Sequence, residues 1–234
     1  YPVANSSGNW SSDFSTLVNI MPGSTGWAYR YDNEGNSTRV HWFAPNPTIV
    51  VYPRYGEIYG SQWSPETTIT LTIGSQSWTQ EPDEYMGTVY FYPDVELLPG
   101  TTIQMTDGTN TKTHKIINLA VTDFNAAADT LTGTADPGEL TVYTCVSTGC
   151  HYRYPVANSS GDWIADFSGD VNIVAGMSGW FYQYDTDGDM TEMDWFLPDP
   201  WIEVHPDTDR IYGRDWMPDT EISLKIGSNT WKNT

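Results

Sequence analysis

The chain has 234 residues, a formal net charge of −20 and 14% aromatic residues. Its length is typical of two domains, and its aromatic content argues against a disordered chain. Only 10 Lys and Arg residues oppose 30 Asp and Glu residues, which argues against a nucleic acid partner because phosphate contacts require basic side chains. No run of ~18 apolar residues occurs, so no membrane span is predicted in this segment.

The most prominent feature is an internal repeat, which decides the domain organisation. The first eight residues of the chain recur unchanged at 154–161. The similarity continues without a gap, so that residues 1–81 align with residues 154–234 and about half of the aligned positions are identical. The sequence therefore contains two copies of a repeat that begins every 153 residues.

Weaker similarity inside the repeat indicates two related domain types, A and B. Residues 94–100 resemble residues 170–176, which suggests domains of roughly 75 residues each. Because the chain starts and stops within a domain, we expect a segment of a longer tandem array. The predicted parts are the C-terminal half of a type A domain at 1–44, a complete type B domain at 45–119, a complete type A domain at 120–197 and the N-terminal half of a type B domain at 198–234.

Along the chain, the residue pattern is that of β-strands. Aromatic residues alternate from Trp27 to Tyr31 and again from Trp180 to Tyr184, and apolar residues alternate in 69–73 and 222–226. This period of two indicates half-buried strands, and turn residues every ~8–12 positions indicate a sandwich or barrel. No segment has a helical period. The sequence therefore predicts an all-β protein of tandem sandwich domains in an elongated array.

The two cysteines, Cys145 and Cys150, are separated by a segment that contains Ser-Thr-Gly and suits a hairpin loop. We predict a disulfide between them, which indicates an oxidising, extracellular or cell-surface location. The alternatives are two free thiols or half of a zinc site, although no second cysteine pair is present to complete such a site.

A cluster of acidic residues is the best candidate for a ligand site. It starts with Asp185-Thr186-Asp187-Gly188-Asp189, whose alternating carboxylates resemble the start of a calcium loop. The resemblance then fails, because Met190 and Phe196 occupy the positions of the loop's Gly and Glu. The alternative is a plain hairpin turn. The candidate Ca²⁺ ligands are Asp185, Asp187, Asp189, Glu192 and Asp194, and no other cofactor is predicted.

Two further groups of residues are candidates for modification or contact. Ten of the eleven tryptophans pair across the repeat, which favours a role in the core or in packing, whereas Trp201 aligns with Thr48 and is a candidate ligand-contacting residue. The candidate N-glycosylation sites are Asn5, Asn9, Asn36 and Asn158, each in an Asn-x-Ser/Thr triplet.

No set of catalytic residues can be identified. No Gly-x-Ser-x-Gly motif is present, and His41 and His205 align with Asp194 and Tyr52 across the repeat. Many carboxylates are present, but glycoside hydrolysis needs one pair held about 5–10 Å apart, and nothing in the sequence selects a pair. We therefore predict that the protein is not an enzyme.

Two motifs provide a resemblance to a known family. The stretch Leu131-Thr132-Gly133-Thr134-Ala135-Asp136-Pro137-Gly138-Glu139-Leu140-Thr141-Val142 resembles the early strands of bacterial immunoglobulin-like repeat domains, and Gly161-Asp162-Trp163-Ile164-Ala165-Asp166-Phe167 resembles a late strand. Members of this family occur in tandem in secreted and surface-anchored proteins, as stalks, adhesin segments or fibres. The resemblance implies immunoglobulin-like sandwiches and a structural or adhesive role.

These observations leave two functions open. The first is an extracellular structural or adhesive repeat protein, a stalk or filament segment whose partners are further repeats or neighbouring copies that complete its half domains head to tail. The alternative is a carbohydrate-binding or spacer module of a larger secreted enzyme, with glycans as partners and Trp201 as a contact.

Overall fold

The computed structural model describes residues 2–216 and 221–233, the last of them by its backbone alone. The described chain is almost entirely β, which confirms the predicted all-β, sandwich-type fold class. The helical turns in the described residues are two short 3-10 turns, Pro53–Tyr55 and Pro206–Thr208, and neither is long or apolar enough to cross a membrane.

The strands are short and connected mostly by tight turns. They are β1 (Thr25–Tyr31), β2 (Ser37–Phe43), β3 (Thr48–Tyr52), β4 (Glu57–Ser61), β5 (Ile69–Ile73), β6 (Gln76–Gln80), β7 (Val89–Phe91), β8 (Thr102–Thr106), β9 (Thr111–Lys115), β10 (Ala120–Asn125), β11 (Thr130–Thr134), β12 (Gly138–Glu139), β13 (Thr141–Val146), β14 (Gly149–Arg153), β15 (Val156–Ala157), β16 (Asp162–Asp166), β17 (Ser178–Tyr184), β18 (Met190–Phe196), β19 (Trp201–His205), β20 (Arg210–Arg214), β21 (Ile222–Ile226) and β22 (Asn229–Asn233).

The chain divides into two compact units. Unit 1 contains the residues up to Ile116 together with Asp185–Met190, and unit 2 contains Ile117–Tyr184 and the residues from Thr191 onward. The turn at 185–190 lies between two strands of the predicted 120–197 domain but belongs to unit 1. Its carboxylates bind side-chain and backbone groups of unit 1, as described below.

Unit 1 has a hydrophobic core enclosed by two groups of strands. In the first group β3, β4 and β7 are neighbours in that order, and in the second the order is β6-β5-β8-β9. The core extends from Ile49 to Ile116 in sequence. It is supplied by alternating residues, as in β5, where Ile69, Leu71 and Ile73 are buried and the two threonines between them are half-buried, the arrangement that period-two patterning predicts.

Unit 2 has the same strand arrangement around its own core. Its first group has the order β10-β11-β16 and its second the order β14-β13-β17-β18. The core extends from Ile117 to Leu197 in sequence. Ile117 and Leu119 belong to this core, so it begins slightly before the predicted boundary between residues 119 and 120.

A recurring backbone contact relates the domain types and explains the weak similarity of 94–100 to 170–176. In each case a glycine with positive φ (+83° to +85°) precedes a hairpin and donates its N–H to the carbonyl of the residue just after the hairpin's second strand. Glycine is the residue that adopts this backbone conformation without strain. The donor and acceptor residues are Gly23 and Ala44, Gly100 and Ile116, and Gly176 and Leu197, at 2.8, 2.7 and 2.8 Å.

The 153-residue repeat is retained in the secondary structure. Strands β1–β6 correspond one by one to β17–β22, with both ends of each strand displaced by 153 residues. The correspondence fails for β15 and β16, because their counterparts, residues 3–4 and 9–13, form no strand. Within unit 2, β15 pairs with β12 and β16 pairs with β11. Residues 3–4 and 9–13 have no such neighbours among the described residues.

Candidate functional site

The candidate site consists of two apolar surfaces, one at each end of the described chain. We call residues 2–44 the N-terminal segment and residues 198–233 the C-terminal segment. Each aligns with half of a complete domain in the same chain, so every side chain has an internal reference whose burial is known.

The N-terminal segment contains one hairpin. Strands β1 and β2 pair from Thr25↔Phe43 to Tyr31↔Ser37 and form a two-stranded sheet. The corresponding strand of unit 2, β17, also pairs with β13 on its other side. The outer edge of β1 therefore presents backbone groups that a further strand could bond.

The hairpin is attached to the rest of unit 1 by aromatic contacts. Nδ1 of His41 lies 3.3 Å from the carbonyl oxygen of Tyr85, and the two rings stack with centroids 5.0 Å apart. On the same hairpin, the guanidinium of Arg39 lies 4.0 Å from the ring centroid of Trp27, a favourable cation–π distance. These contacts involve the hairpin and leave residues 2–24 largely exposed.

Burial differs sharply between identical residues in the two copies. Trp10 is 53% exposed and its counterpart Trp163 only 4%. Phe14 is 40% exposed, whereas Phe167 is fully buried. Since the side chains are the same, the difference arises from what covers them.

Residues 129–134 provide that cover in unit 2. β11 pairs with β16 and places Gly133 opposite Trp163, where a Cβ on Gly133 would lie 2.3 Å from the Trp163 ring. The amide of Phe167 donates to the Asp129 carbonyl oxygen at 2.8 Å, and the amide of Ile173 donates to Asp129 Oδ1 at 2.9 Å. Residues 9–20 make no equivalent contact among the described residues.

The apolar side chains of the C-terminal segment are likewise more exposed than their counterparts in unit 1. Its hairpins β19–β20 and β21–β22 form with the register of β3–β4 and β5–β6. Ile202 is 54% exposed where Ile49 is fully buried, and Val204 is 58% exposed where Val51 is fully buried. In unit 1, β4 also pairs with β7 and β5 with β8, whereas each C-terminal hairpin forms a two-stranded sheet.

Sequence reasoning identified the half domains but not which side chains they expose. The repeat alignment contained the signal, because each exposed residue has a counterpart in one of the two complete domains. The exposed apolar residues with buried counterparts are Trp10, Phe14, Val18, Ile20, Trp42, Ile202, Val204, Trp216 and Ile226.

Three of the five predicted calcium ligands lie together in unit 1. Oδ1 of Asp185 accepts the amides of Asp187 and Asp189 at 2.9 and 3.0 Å, as in a tight Asx turn. Oδ2 of Asp185 lies 2.7 Å from Nδ1 of the fully buried His114. Glu192 and Asp194, by contrast, lie on β18 in the part assigned to unit 2.

Asp189 is the most completely buried of these carboxylates. Its Oδ1 accepts the amide of Ile49 at 2.8 Å, and its Oδ2 lies 3.2 Å from Nζ of Lys112. Nζ of Lys112 also donates to the carbonyl oxygen of Asp187 at 2.8 Å. Burial raises the pKa of Asp189, although the Ile49 amide and Lys112 oppose the shift. The sequence offered no signal for Lys112 and His114, which are more than 70 positions away.

Calcium binding at this turn stays a prediction. Among the described residues, no group of three or more His, Cys, Asp or Glu side chains could hold a metal ion. The Asp185 and Asp189 carboxylates instead face protein donors.

If Ca²⁺ does bind at this turn, a chelator should lower the melting temperature at constant ionic strength, because an ion that binds only the folded state stabilises it. A melting temperature unchanged by both chelator and added Ca²⁺ would leave a hairpin turn held by protein contacts alone.

The disulfide between Cys145 and Cys150 is present in unit 2. The two cysteines are directly opposite each other in the β13–β14 hairpin, and Val146↔Gly149 is the last pair before the turn. The bridge therefore reinforces the end of a hairpin that is already hydrogen-bonded.

Reduction of the disulfide should lower the free energy of unfolding of unit 2 by roughly 2 kcal/mol, because the bridge restricts the unfolded chain over a short loop. Urea unfolding with and without reductant measures the effect. The control is the double variant Cys145→Ala/Cys150→Ala, which should be insensitive to reductant. Equal stability of the reduced and oxidised wild-type protein would contradict this expectation.

The structure also locates the remaining candidates. Trp201 is 38% exposed, and the guanidinium of Arg214 lies 5.0 Å from its ring centroid, covering one face. Among the paired tryptophans, Trp180 lies on the outer face of β17 and packs against the ring of Tyr143. The four candidate glycosylation sites, which stay predictions, are all exposed: Asn5, Asn9, Asn36 and Asn158.

Comparisons with known proteins do not assign a family. No protein-family model and no curated protein sequence match the chain. One similar solved structure concerns host cell surface retention of a 1.5-MDa bacterial ice-binding adhesin, with 14% identity, a TM-score of 0.25 and coverage of 74% of this chain and 73% of that one. Another is a tetra-tandem repeat in the extending region of a large adhesion protein, with 17% identity, a TM-score of 0.25 and coverage of 84% and 65%. TM-scores this low do not place the chain in a fold family.

Proposed function

We propose that the protein is a non-catalytic, extracellular structural repeat protein whose incomplete end domains are completed head to tail by strands of the same repeat. The observation that carries this proposal is the exposure of Trp10, Phe14, Ile202 and Val204, whose counterparts are buried in complete domains of the same chain. Exposed apolar patches of this kind are typical of interaction surfaces.

The internal counterparts specify what would cover each surface. Trp163 and Phe167 are covered by strands from residues 120–153. The N-terminal segment would therefore be covered by strands with the sequence of residues 120–153. Ile49 and Val51 are covered by strands from residues 82–119. The C-terminal segment would therefore be covered by strands with the sequence of residues 82–119. Main-chain hydrogen bonds to the open edges of β1, β20 and β21 would add to apolar burial.

These strands could come from adjacent repeats of a longer chain or from a second molecule of the same protein. With a second molecule, the N-terminal segment of one molecule would face the C-terminal segment of the next. Such a contact uses two different surfaces and propagates a filament unless it closes into a ring. The shared strand orders of units 1 and 2 support the compatibility of the two segment types.

An extracellular location is part of the proposal. The disulfide between Cys145 and Cys150 supports it, because disulfides persist mainly in oxidising compartments. A net charge of −20 keeps such a chain soluble and discourages unwanted pairing between open strand edges.

The test is to extend the chain with its own sequence. A copy of residues 120–153 placed before Tyr1 reproduces the junction found at residues 153–154. We expect the amide hydrogens of residues 9–13 to become protected from exchange, because these residues would then form a strand like β16. We also expect Trp10 fluorescence to shift to shorter wavelength. A scrambled extension of equal composition is the control.

Exposure of Trp10 that is unchanged by the correct extension would contradict domain completion. Light scattering of the unextended protein tests whether a second molecule supplies the missing strands. If it does, the mean mass should rise with protein concentration, because the molecules associate through their end surfaces. Extending both ends, with 120–153 in front and 82–119 behind, should abolish that rise if the end surfaces cause it.

A second candidate function, glycan binding, is favoured by an aromatic row in unit 2. Tyr152 stacks on Tyr143 at 5.0 Å and Tyr143 on Trp180 at 5.4 Å, across β14, β13 and β17. Rings on an outer sheet face suit contact with sugar rings. Glycan-array binding that is lost in Trp180→Ala but kept in Trp231→Ala would favour this function.

A further inference from the structure

The outer face of β3, β4 and β7 in unit 1 carries an unusual concentration of tyrosines around one carboxylate. An open cleft of about 450 Å³ is lined by four tyrosines and Glu57. The neighbouring Tyr92 is exposed as well. The lining tyrosines are Tyr52, Tyr55, Tyr59 and Tyr90.

Strand register explains why these side chains converge. Tyr52 is directly opposite Glu57 in the β3–β4 pair, and Tyr59 is opposite Tyr90 in the β4–β7 pair, with ring centroids 5.1 Å apart. The β4–β7 register also sets Ile58 opposite Phe91, so its continuation brings Tyr92 beside Glu57. Since alternate residues share a face, Glu57 lies within a grid of aromatic rings.

Glu57 is the one charged residue in the described lining of this cleft. Among the described residues Glu57 takes part in no ion pair. Loss of hydration and then the Glu57 carboxylate raise the pKa of the Tyr92 phenol, which places the two groups close together. The net charge of −20 adds a negative field. An anionic ligand is therefore disfavoured, and a cation is favoured.

We propose that this cleft binds an organic cation of the quaternary ammonium type. Aromatic faces attract such cations through their quadrupoles, and a nearby carboxylate adds Coulombic attraction. The lining offers phenol rings and a single carboxylate, which match a bulky, weakly hydrated cation better than a neutral sugar that needs several fixed hydrogen-bonding partners.

The second copy of the repeat provides an internal control. There the position of Glu57 is occupied by Arg210, that of Tyr52 by His205 and that of Tyr55 by Thr208, while Tyr212 retains the position of Tyr59. The register of β19–β20 matches that of β3–β4. In this copy a cation replaces the carboxylate, and β19–β20 has no counterpart of β7 among the described residues, so this copy should not bind the ligand.

The experiment compares choline and tetramethylammonium with 3,3-dimethylbutan-1-ol, the uncharged analogue of choline. Binding to the full chain is followed by chemical-shift changes of the tyrosine rings. We expect saturable binding of both cations, weakening as salt is added, and at least about tenfold weaker binding of the neutral analogue.

Two variants and one control locate the site. Glu57→Gln and Tyr90→Leu should each weaken choline binding by about fivefold or more, whereas Tyr154→Leu, at an exposed tyrosine in unit 2, should leave it unchanged. All three positions accept substitution without loss of a core contact, and circular dichroism checks that each variant is folded.

Vesicles distinguish the sources of the cation. Cosedimentation with phosphatidylcholine vesicles, but not with phosphatidylglycerol vesicles, would assign the site to a lipid headgroup, and binding of free choline without cosedimentation would assign it to a soluble cation. Equal affinity for choline and its neutral analogue, saturable binding of neutral sugars in place of the cations, or choline binding unaffected by Glu57→Gln would overturn the proposal.

Discussion

Replacement of Phe167 by alanine should lower the free energy of unfolding of unit 2 by about 3–5 kcal/mol, the usual cost of removing a fully buried phenylalanine from a core. Phe167 is fully buried and the guanidinium of Arg153 lies 4.8 Å from its ring centroid. The same replacement at Phe14, its counterpart in the repeat, should cost less than about 1 kcal/mol at low protein concentration, because Phe14 is 40% exposed and lies outside any complete core.

The matched pair is best measured by hydrogen exchange, which reports opening free energies separately for each part of a multidomain chain. Slow amides of β11 and β13 report on unit 2. Equal losses for both variants at low concentration would contradict the difference in burial. A cost of Phe14→Ala that grows with protein concentration would instead support completion of the N-terminal segment by a second copy.

Replacement of Asp189 by alanine should destabilise unit 1 by about 2–4 kcal/mol, because the change leaves the buried amide of Ile49 without its acceptor and removes the ion-pair partner of Lys112. Faster hydrogen exchange of the Ile49 amide is the direct measurement. The matched control is Asn36→Ala at the corresponding exposed turn of the N-terminal segment, which should change stability by about 0.5 kcal/mol or less.

Asp189→Asn separates the hydrogen bond from the charge. The amide oxygen of asparagine can still accept from Ile49, so this variant should be much less destabilised than Asp189→Ala. Burial raises the pKa of Asp189 in the folded protein above its unfolded value near 3.8, so its contribution to stability improves as the pH falls through the raised folded pKa. Asp189→Asn should therefore flatten the pH dependence of stability in that interval, and an unchanged slope would contradict this assignment.

Local sequence patterns predicted much of the fold. The alternation in residues 69–73 and 222–226 predicted β5 and β21, because a strand with one buried face requires a period of two. The disulfide was predicted from cysteine spacing, since a cross-strand pair beside a tight turn needs only the hairpin itself. The similarity of 94–100 to 170–176 corresponds to a glycine-dependent backbone contact, another local requirement.

Other features depend on residues far away in sequence. The aspartates of the 185–190 turn were predicted as calcium ligands, but their observed partners are Ile49, Lys112 and His114, which no local pattern links to them. The tyrosine cleft around Glu57 likewise needs the β4–β7 pairing, which joins residues about 30 positions apart.

The sequence by itself determined the repeat and the inward-facing positions of strands with a clear period of two, such as β5 and β21, because each depends on the order of neighbouring residues. Only the tertiary structure decided which of those positions are covered. Trp10 and Trp163 occupy the same place in the repeat, and Trp163 is buried because β11 lies beside β16. Burial is a property of the strands that surround a side chain, so the same residue at repeated positions belongs to a core in one copy and to an open apolar surface in the other.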